Sequence, residues 1–274
     1  MVPAKELASA AVAAMVRSTV SPSRRLVPNE LRLPISDSTR VLVLTGAGVS
    51  AESGIATFRA GGGLWESHSV EQVASMAGFL EDPQLVWRFY SERRRDVLAS
   101  DPNAGHAALA TLEQRLGDRF LLTTQNVDGL HTRAGSDRML ELHGNVCMTR
   151  CMGCAREPFQ DTRLHLESVP LCELCTEQGR ETMLRPHIVW FGEALDGQVL
   201  GQIDDFITEA GSNLLFLAIG TAGAVYPAAS LVDLARRVGG ASYLVNLDEA
   251  DNASQFEHVI RGKSGEILPQ LFGL

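Results

Sequence analysis

The sequence has no excess of basic residues. Its 274 residues include 33 Asp and Glu against 24 Lys and Arg, which gives a formal net charge of -9 at pH 7. Because binding to a nucleic-acid backbone depends on clustered Lys and Arg, we expect no direct contact with nucleic acid. Long apolar runs are missing as well. Residues 7–16, the longest candidate, have about half the length of a membrane-spanning helix, so we expect no membrane segment.

Residues 1–38 are predicted to form an N-terminal extension. Lys5 precedes the apolar stretch 7–16 as in a signal peptide, but Glu6 and Arg17 on its two flanks do not fit that pattern. A short amphipathic surface helix is the simpler interpretation, and we expect a cytoplasmic location. Several Arg and Ser in the first roughly 30 residues leave a mitochondrial transit peptide open as the alternative.

Apolar strands alternate with amphipathic helical stretches along most of the chain. Residues 41–45 (VLVLT) form an unbroken run of β-branched residues and Leu, which is typical of a central parallel strand. Similar runs follow at 119–124, 214–220 and 242–247, and helical periodicity lies between them, for example at 106–117 and 227–240. This order predicts an α/β fold with a Rossmann-like, doubly wound parallel sheet.

Two insertions interrupt the alternation. Residues 57–103 include a charged helix predicted at 83–100, and residues 147–186 hold all five cysteines but few long apolar runs. The second insertion must therefore be stabilised by something other than a core. We predict that the two insertions form a small domain beside a larger Rossmann-like domain, which takes residues 39–56, 104–146 and 187–274.

Four cysteines form two C-x-x-C pairs, Cys151 with Cys154 and Cys172 with Cys175, and 17 residues lie between the pairs. This spacing is typical of a structural zinc site, in which four thiolates complete the tetrahedron and leave no open position for catalysis. A redox C-x-x-C or two disulfides are the alternatives, but paired knuckles in a loop-rich insertion favour zinc. Cys147 is left as a buried or spare thiol.

A glycine turn follows the first predicted strand. Gly46, Gly48 and Ala51 match G-x-G-x-x-G/A, a motif whose glycines let the backbone approach a pyrophosphate at the start of a helix. The motif alone is equally consistent with a tight turn in any α/β protein. The acidic residue expected about 20 positions later is not at the end of a second strand, because the first insertion occupies that stretch.

Polar side chains follow the strand at 119–124. Gln125, Asn126 and Asp128 come at its carboxyl end, where doubly wound sheets bind ligands. His143 comes shortly afterwards, and imidazole is the natural general base near neutral pH, although a lone histidine is more often structural. His131 is expected to cap the following helix or to face solvent.

Together these motifs resemble the sirtuins, a family of NAD-dependent protein lysine deacylases. The resemblance rests on His143 with Gly144, on the two cysteine pairs and on five further blocks: 46–59 (GAGVSAESGIATFR), 124–131 (TQNVDGLH), 184–193 (LRPHIVWFGE), 220–229 (GTAGAVYPAA) and 246–248 (NLD). The blocks occur in the family's order and cover roughly residues 40–270.

The resemblance implies that the larger domain binds NAD and that the small domain binds zinc. The cofactor-binding residues would be Gly46, Ala47, Gly48, Glu52, Phe58, Arg59, Trp65, Gln125, Asn126, Val127, Asp128, Gly220, Thr221, Ala222, Asn246, Leu247, Asp248 and Ser264. In many members a serine stands where this chain has Ala222. We therefore expect NAD binding to be weaker by on the order of 1 kcal/mol, the cost of one polar contact.

The resemblance also implies a reaction. The acyl oxygen of the substrate attacks C1′ of the nicotinamide ribose, nicotinamide leaves, and His143 accepts a ribose hydroxyl proton while the acyl group moves to the sugar. The products are free lysine, nicotinamide and an O-acyl-ADP-ribose. Residues 187–193 resemble the segment that pairs with an extended substrate peptide. Proteins carrying acyl-lysine are the expected partners, and we expect a monomer.

The acyl group is predicted from Tyr90 and Arg93, which stand three residues apart and so share a helix face. A guanidinium and a phenol would hold an acidic acyl chain, and this Tyr-x-x-Arg is similar to the desuccinylase and demalonylase type (class III) of sirtuins. Charged runs such as 93–95 are, however, usually solvated helix faces. Ala74 would leave room for the chain. The remaining substrate-binding residues would be Val189, Trp190, Phe191, Gly192 and Glu193.

Four other functions are alternatives to a deacylase. A protein ADP-ribosyltransferase or an NAD glycohydrolase would use the same cofactor site. A zinc-ribbon interaction module with a nucleotide sensor needs no general base, so the complete set of Gln125, Asn126, Asp128 and His143 argues against it. Catalysis by a cysteine nucleophile is disfavoured, because the spacing assigns four of the five thiols to metal.

Overall fold

The computed structural model of the chain describes residues 32–57 and 68–274, and the backbone alone at 24–25 and 64–65. Phe58, Arg59 and the predicted helix at 7–16 lie outside the described residues, as does the side chain of Trp65.

The described residues form twelve strands and nine α-helices. The strands are β1 (Arg24–Arg25), β2 (Arg40–Thr45), β3 (Leu64–Trp65), β4 (His68–Ser69), β5 (Phe120–Thr124), β6 (Met139–Glu141), β7 (Gly144–Cys151), β8 (Phe159–Gln160), β9 (Leu184–Ile188), β10 (Leu214–Ile219), β11 (Ala241–Asn246) and β12 (His258–Arg261). The helices are α1 (Val70–Val73), α2 (Met76–Glu81), α3 (Pro83–Ala99), α4 (Ala104–Leu116), α5 (Leu130–Arg133), α6 (Glu173–Thr176), α7 (Gly197–Ala210), α8 (Leu231–Arg237) and α9 (Ser264–Phe272).

A seven-stranded sheet with all neighbours parallel forms the centre, in the order β1-β12-β11-β10-β2-β5-β6. Without the two-residue β1, the six longer strands follow the 3-2-1-4-5-6 order of a Rossmann fold. The predicted doubly wound sheet is thus confirmed. The sheet also contains β6 and β12, which the sequence reading missed because they have only three and four residues.

Helices cover both faces of the sheet, and alternate residues of each strand point to one face or the other. Val41 and Val43 of β2 pack with α4 and α9, whereas Leu42 and Leu44 pack with α7 and α8. This two-sided burial explains why the strands are unbroken apolar runs. The helix predicted at 227–240 begins with a 3-10 turn at Ala228–Ser230, and α8 itself ends at Arg237.

A third core lies away from the central sheet and draws on both insertions. It joins α1–α3 to the antiparallel strands β7 and β9, and it includes two of the cysteines, Cys172 and Cys175. Trp87 of α3 is buried there and donates from Nε1 to the Leu184 carbonyl at 3.0 Å. The expectation that residues 147–186 lack a core is therefore wrong: they share one with the helical insertion.

A buried arginine of α3 links this helix to β7 and to residues 161–163. Arg94 is fully buried and donates to the carbonyls of Val146 and Arg163, and its guanidinium lies 3.5 Å from the Asp161 carboxylate. The sequence suggested a solvated face for 93–95, but Arg94 points inward from it. Within the described ranges, no helix has the length and apolar character needed to cross a bilayer.

Candidate active site

The strands β2 and β10 meet at the point where the strand order reverses, which is where doubly wound sheets bind ligands. The loops after these strands are hydrogen bonded to each other: Gly46 N donates to the Ile219 carbonyl at 2.9 Å, and Gly48 N donates to the Gly220 carbonyl at 2.8 Å. The predicted glycine turn therefore lies at the switch point of the sheet.

The glycines in these loops are required by packing. A Cβ on Gly48 would lie 2.7 Å from Gly220 Cα, and a Cβ on Gly220 would lie 2.5 Å from the nitrogen of Val49. Gly220 also has a φ of 61°, which favours glycine. The close approach of the two loops gives these glycines a structural reason in addition to any ligand.

A buried polar cluster lies beside the turn. Ser50 Oγ donates to Asp128 Oδ2 at 2.7 Å and accepts from Asn126 Nδ2 at 3.1 Å. His106 Nε2 lies 3.4 Å from the same hydroxyl, and its Nδ1 accepts from the Asn103 backbone N–H at 3.2 Å. The predicted pair Asn126 and Asp128 is thus brought together and oriented by three residues that were not predicted.

The signals for those three residues are visible in retrospect. Ser50 stands in the glycine turn itself, and Asn103 and His106 form a helix capping box at the start of α4. The sequence reading missed them because a serine in a turn and a histidine inside a helix have common structural explanations. What distinguishes them is a contact between positions 50 and 128, which spacing along the chain does not reveal.

His143 lies between β6 and β7, and its tautomer is defined. Its Nδ1 lies 3.1 Å from the Gln125 carbonyl, which can only accept, so Nδ1 carries the proton and Nε2 is a free base. Burial lowers the pKa of His143 below its ordinary value, and the bond to the carbonyl opposes that shift only in part. Gln125 is itself held by its Nε2, which donates to Thr221 Oγ1 at 3.1 Å. A neutral imidazole at this position suits a general base.

His131 does not cap a helix or face solvent, contrary to expectation. It is only 1% exposed, and its Nε2 lies 2.9 Å from Thr45 Oγ1. Desolvation and the nearby His106 lower the pKa of His131 to about 3, so the ring is neutral at physiological pH. The expectation failed because a polar residue after a strand was assumed to lie at the surface.

Two of the predicted cofactor-binding residues, Glu52 and Ser264, contact each other. Glu52 Oε2 accepts from Ser264 Oγ at 3.1 Å and from Gly265 N at 2.8 Å, so the carboxylate caps the amino end of α9. Asn246 Nδ2 donates to the Thr221 carbonyl at 3.0 Å. Leu247, the next residue, is 61% exposed. The carbonyl of Ala222 accepts a hydrogen bond from Asp251 N. Asp248 lies beside Leu247 at the surface.

The predicted peptide-binding segment runs directly beside His143. Val189 N donates to the His143 carbonyl at 2.9 Å, and Phe191 N donates to the Ala74 carbonyl at 3.0 Å. Between them, the buried Trp190 donates from Nε1 to the Tyr90 phenol oxygen at 3.0 Å. Ala74 and Tyr90, two of the residues predicted around the acyl group, are therefore connected to His143 through this one segment.

Not every predicted substrate residue points outward. Phe191 is 52% exposed and Gly192 has a φ of 86°, but Glu193 accepts from Arg185 at 2.6 and 2.9 Å and from Trp190 N at 2.8 Å. The Arg185 guanidinium in turn lies 3.4 Å from the centre of the Trp190 ring. In this structure Glu193 and Trp190 stabilise the segment from inside.

The four predicted metal ligands converge on one point. The sulfurs of Cys151 and Cys175 are 3.7 Å apart, those of Cys154 and Cys172 are 3.8 Å apart, and all four lie within 4.8 Å of one another. Zinc–sulfur bonds of about 2.3 Å in a tetrahedron give sulfur separations of about 3.8 Å. The thiols are free, so the group fits zinc and not two disulfides. Cys147 is half-buried outside the group.

Comparison with known proteins agrees with this geometry. The model of the Sir2 family matches residues 46–227, a range that contains the glycine turn, His143 and all four metal ligands. The chain belongs to the Sir2 family. It is 43% identical over 237 residues to a protein of Pasteurella multocida named NAD-dependent protein deacylase, with 86% of this chain and 97% of that protein covered.

Other Sir2-family proteins support the assignment. A protein of the same name from Escherichia coli K12 is 42% identical over 248 residues, which is 90% of this chain and 84% of the relative. A Sir2 homologue solved in complex with NAD has a TM-score of 0.75 and 38% identity, with coverage of 85% of this chain and 88% of that one. A Sir2 structure with a p53 peptide and NAD has a TM-score of 0.71 at 32% identity, with coverage of 89% and 93%.

Proposed function

We propose that this Sir2-family chain is an NAD-dependent protein lysine deacylase that transfers the acyl group of its substrate to ADP-ribose. The observation that carries the proposal is the hydrogen bond from His143 Nδ1 to the Gln125 carbonyl, because it leaves Nε2 as a neutral base and ties the imidazole to the residue that precedes Asn126. The similar proteins of Pasteurella multocida and Escherichia coli K12 are both named NAD-dependent protein deacylase. The zinc site, by contrast, has no open position and serves the fold.

The residues present fit NAD. The glycine loops lie at the sheet's switch point, where a dinucleotide phosphate binds in such folds, and an amide and a carboxylate lie beside them. We assign Gly46 and Gly48 to the phosphates, Asn126 and Asp128 to the nicotinamide end, and the remaining cofactor residues as the resemblance implies. When bound, NAD supplies a ribose carbon that accepts the acyl oxygen as nicotinamide leaves.

The chain's own residues prepare that exchange. Asn126 and Asp128 are held by Ser50, so an amide and a carboxylate are oriented before a ligand arrives. His143 Nε2 takes the proton of a ribose hydroxyl, which makes that oxygen a better nucleophile toward the acyl carbon. The depressed pKa of His143 keeps the imidazole unprotonated and ready to accept the proton near pH 7.

Substrate proteins are proposed to bind as an extended strand along Val189 to Gly192, with the acyl-lysine directed to His143. Tyr90 and Arg93 would then select acidic acyl groups such as succinyl or malonyl. In support, the Tyr90 phenol is held next to this segment by Trp190, and the Arg93 guanidinium lies 4.4 Å from the centre of the Phe89 ring. Burial lowers the pKa of Arg93 without neutralising it.

The test is to incubate the purified chain with NAD and a panel of lysine peptides that carry acetyl, succinyl, malonyl or glutaryl groups, and to follow nicotinamide release. We expect release that depends on the peptide, is fastest with the acidic acyl groups, and is nearly lost in His143→Ala. An active His143→Ala protein would contradict the role of this residue. Label from NAD that appears on protein would instead indicate an ADP-ribosyltransferase.

A further inference from the structure

His131 is a buried histidine that the proposed reaction does not use. It follows Asp128 by three residues, and its ring packs 4.7 Å from that of His106, centre to centre. Within the described part of the chain, its Nδ1 has no hydrogen-bond partner although it is buried. A leucine would fill such a space without burying an unpaired nitrogen, so packing alone does not account for an imidazole here.

The hydrogen bonds around His131 define which nitrogen carries its proton. Thr45 Oγ1 donates its single proton to Thr124 Oγ1 at 2.8 Å. Thr45 can therefore only accept from His131 Nε2, which lies 2.9 Å away. The proton is on Nε2, and the unpaired Nδ1 is the bare nitrogen of a neutral ring. His131 is thus a fixed donor to Thr45.

The chain of hydrogen bonds that starts at His131 ends at the polar cluster. Thr124 Oγ1 also accepts from the backbone N–H of Asn126 at 3.0 Å, and the Thr45 carbonyl accepts from Gln125 N at 2.9 Å. The two threonines are the last residues of β2 and β5, and the residues assigned to NAD follow them in the sequence. His131 is therefore linked through the two threonines to the main chain of Asn126, whereas Ser50 is hydrogen bonded to its side chain.

We propose that His131 is a positioning residue for NAD binding, acting through Thr45 and Thr124 on the main chain of Asn126. The inference rests on the proposed function, because Asn126 is assigned there to the nicotinamide end of NAD. In this role the His131 ring acts as a neutral hydrogen-bond donor and never as an acid or base. A side chain that supplies the same donor can therefore replace it.

The experiment compares His131→Leu, which removes the donor, with His131→Gln, whose amide can donate to Thr45. NAD affinity is measured by calorimetry, kcat and KM for NAD by nicotinamide release, and folding by thermal unfolding. We expect His131→Leu to raise the Kd and KM for NAD roughly fivefold, as for one lost hydrogen bond, with a smaller change in kcat. We expect His131→Gln to stay within about twofold of the parent.

Thr45→Val supplies a second, independent variant, because it removes only a hydroxyl from the chain of hydrogen bonds. It should raise the Kd for NAD by a similar factor. The double variant Thr45→Val with His131→Leu should raise the Kd for NAD by no more than about tenfold relative to the parent. Independent effects would instead multiply to roughly 25-fold. If His131→Leu does not fold, Thr45→Val decides alone, and an unchanged Kd overturns the inference.

Three results distinguish failure of this inference from failure of the proposed function. A parent that neither binds NAD nor releases nicotinamide refutes both. An active parent whose affinity for NAD is unchanged in both His131→Leu and Thr45→Val refutes the positioning role and leaves the deacylase standing. Equal loss of affinity in His131→Gln and His131→Leu also refutes it, because the donor would then be irrelevant.

Discussion

Replacing Arg93 with methionine tests the proposed choice of acyl group. Methionine keeps the length and apolar stem of the side chain, so the packing on Phe89 is largely preserved while the charge is lost. A charge-assisted hydrogen bond to a half-buried guanidinium contributes about 2 kcal/mol. We therefore expect kcat/KM on a succinyl-lysine peptide to fall roughly 30-fold, and kcat/KM on the matching acetyl peptide to change less than about threefold.

The same helix offers a matched control for this experiment. Arg95 has a side chain that is 58% exposed, and its partner is the equally exposed Asp96. Arg95→Met removes the same charge two residues away and should leave both rates unchanged, since exposed ion pairs contribute little. Steady-state rates on paired peptides give the answer. Equal losses on succinyl and acetyl peptides in Arg93→Met would refute the clamp.

Three further predictions concern stability. The first concerns His131, whose pKa is lowered from 6.5 to about 3, so that only the unfolded state gains its proton as pH falls below 6.5. The free energy of unfolding should therefore drop by about 2 kcal/mol by pH 5. Urea titrations of His131→Gln should lack this drop. Cys172→Ser should release zinc and cost about 5 kcal/mol or more, whereas Cys147→Ala, outside the cluster, should retain the metal; equal metal content in both, by atomic absorption, would contradict the site. Gly220→Ala, with its φ of 61° and a backbone atom 2.5 Å from the new Cβ, should cost more than about 2 kcal/mol, whereas Gly211→Ala, with a φ of 52° and open space, should cost only about 1 kcal/mol.

The central sheet could be predicted because its signal is local. Runs such as 41–45 are apolar on both faces, and only a strand covered on both sides needs that pattern. The zinc ligands were equally predictable, since a C-x-x-C knuckle places two thiols within reach of one metal. Strands as short as Met139–Glu141 carry too few residues to show a period, and their pairing depends on a neighbour that lies elsewhere in the sequence.

The residues that orient the candidate site were harder to predict for a physical reason. Asn126 and Asp128 stand out as polar side chains after an apolar strand, but Ser50 and His106 matter only because the fold brings them to Asp128 and to each other. Arg94 illustrates the same limit. Its two neighbours in the arginine run are at least partly exposed, and this one points inward because the buried Asp161 carboxylate and the Val146 carbonyl lie across the third core.

The most direct test of the account is the balance of products when the chain turns over NAD with a succinyl-lysine peptide. Mass spectrometry can count free lysine peptide, nicotinamide and the form of ADP-ribose that is released. We expect one deacylated peptide for each nicotinamide, with the succinyl group on ADP-ribose. Nicotinamide release with an unchanged peptide, or with ADP-ribose attached to protein, would contradict acyl transfer assisted by His143.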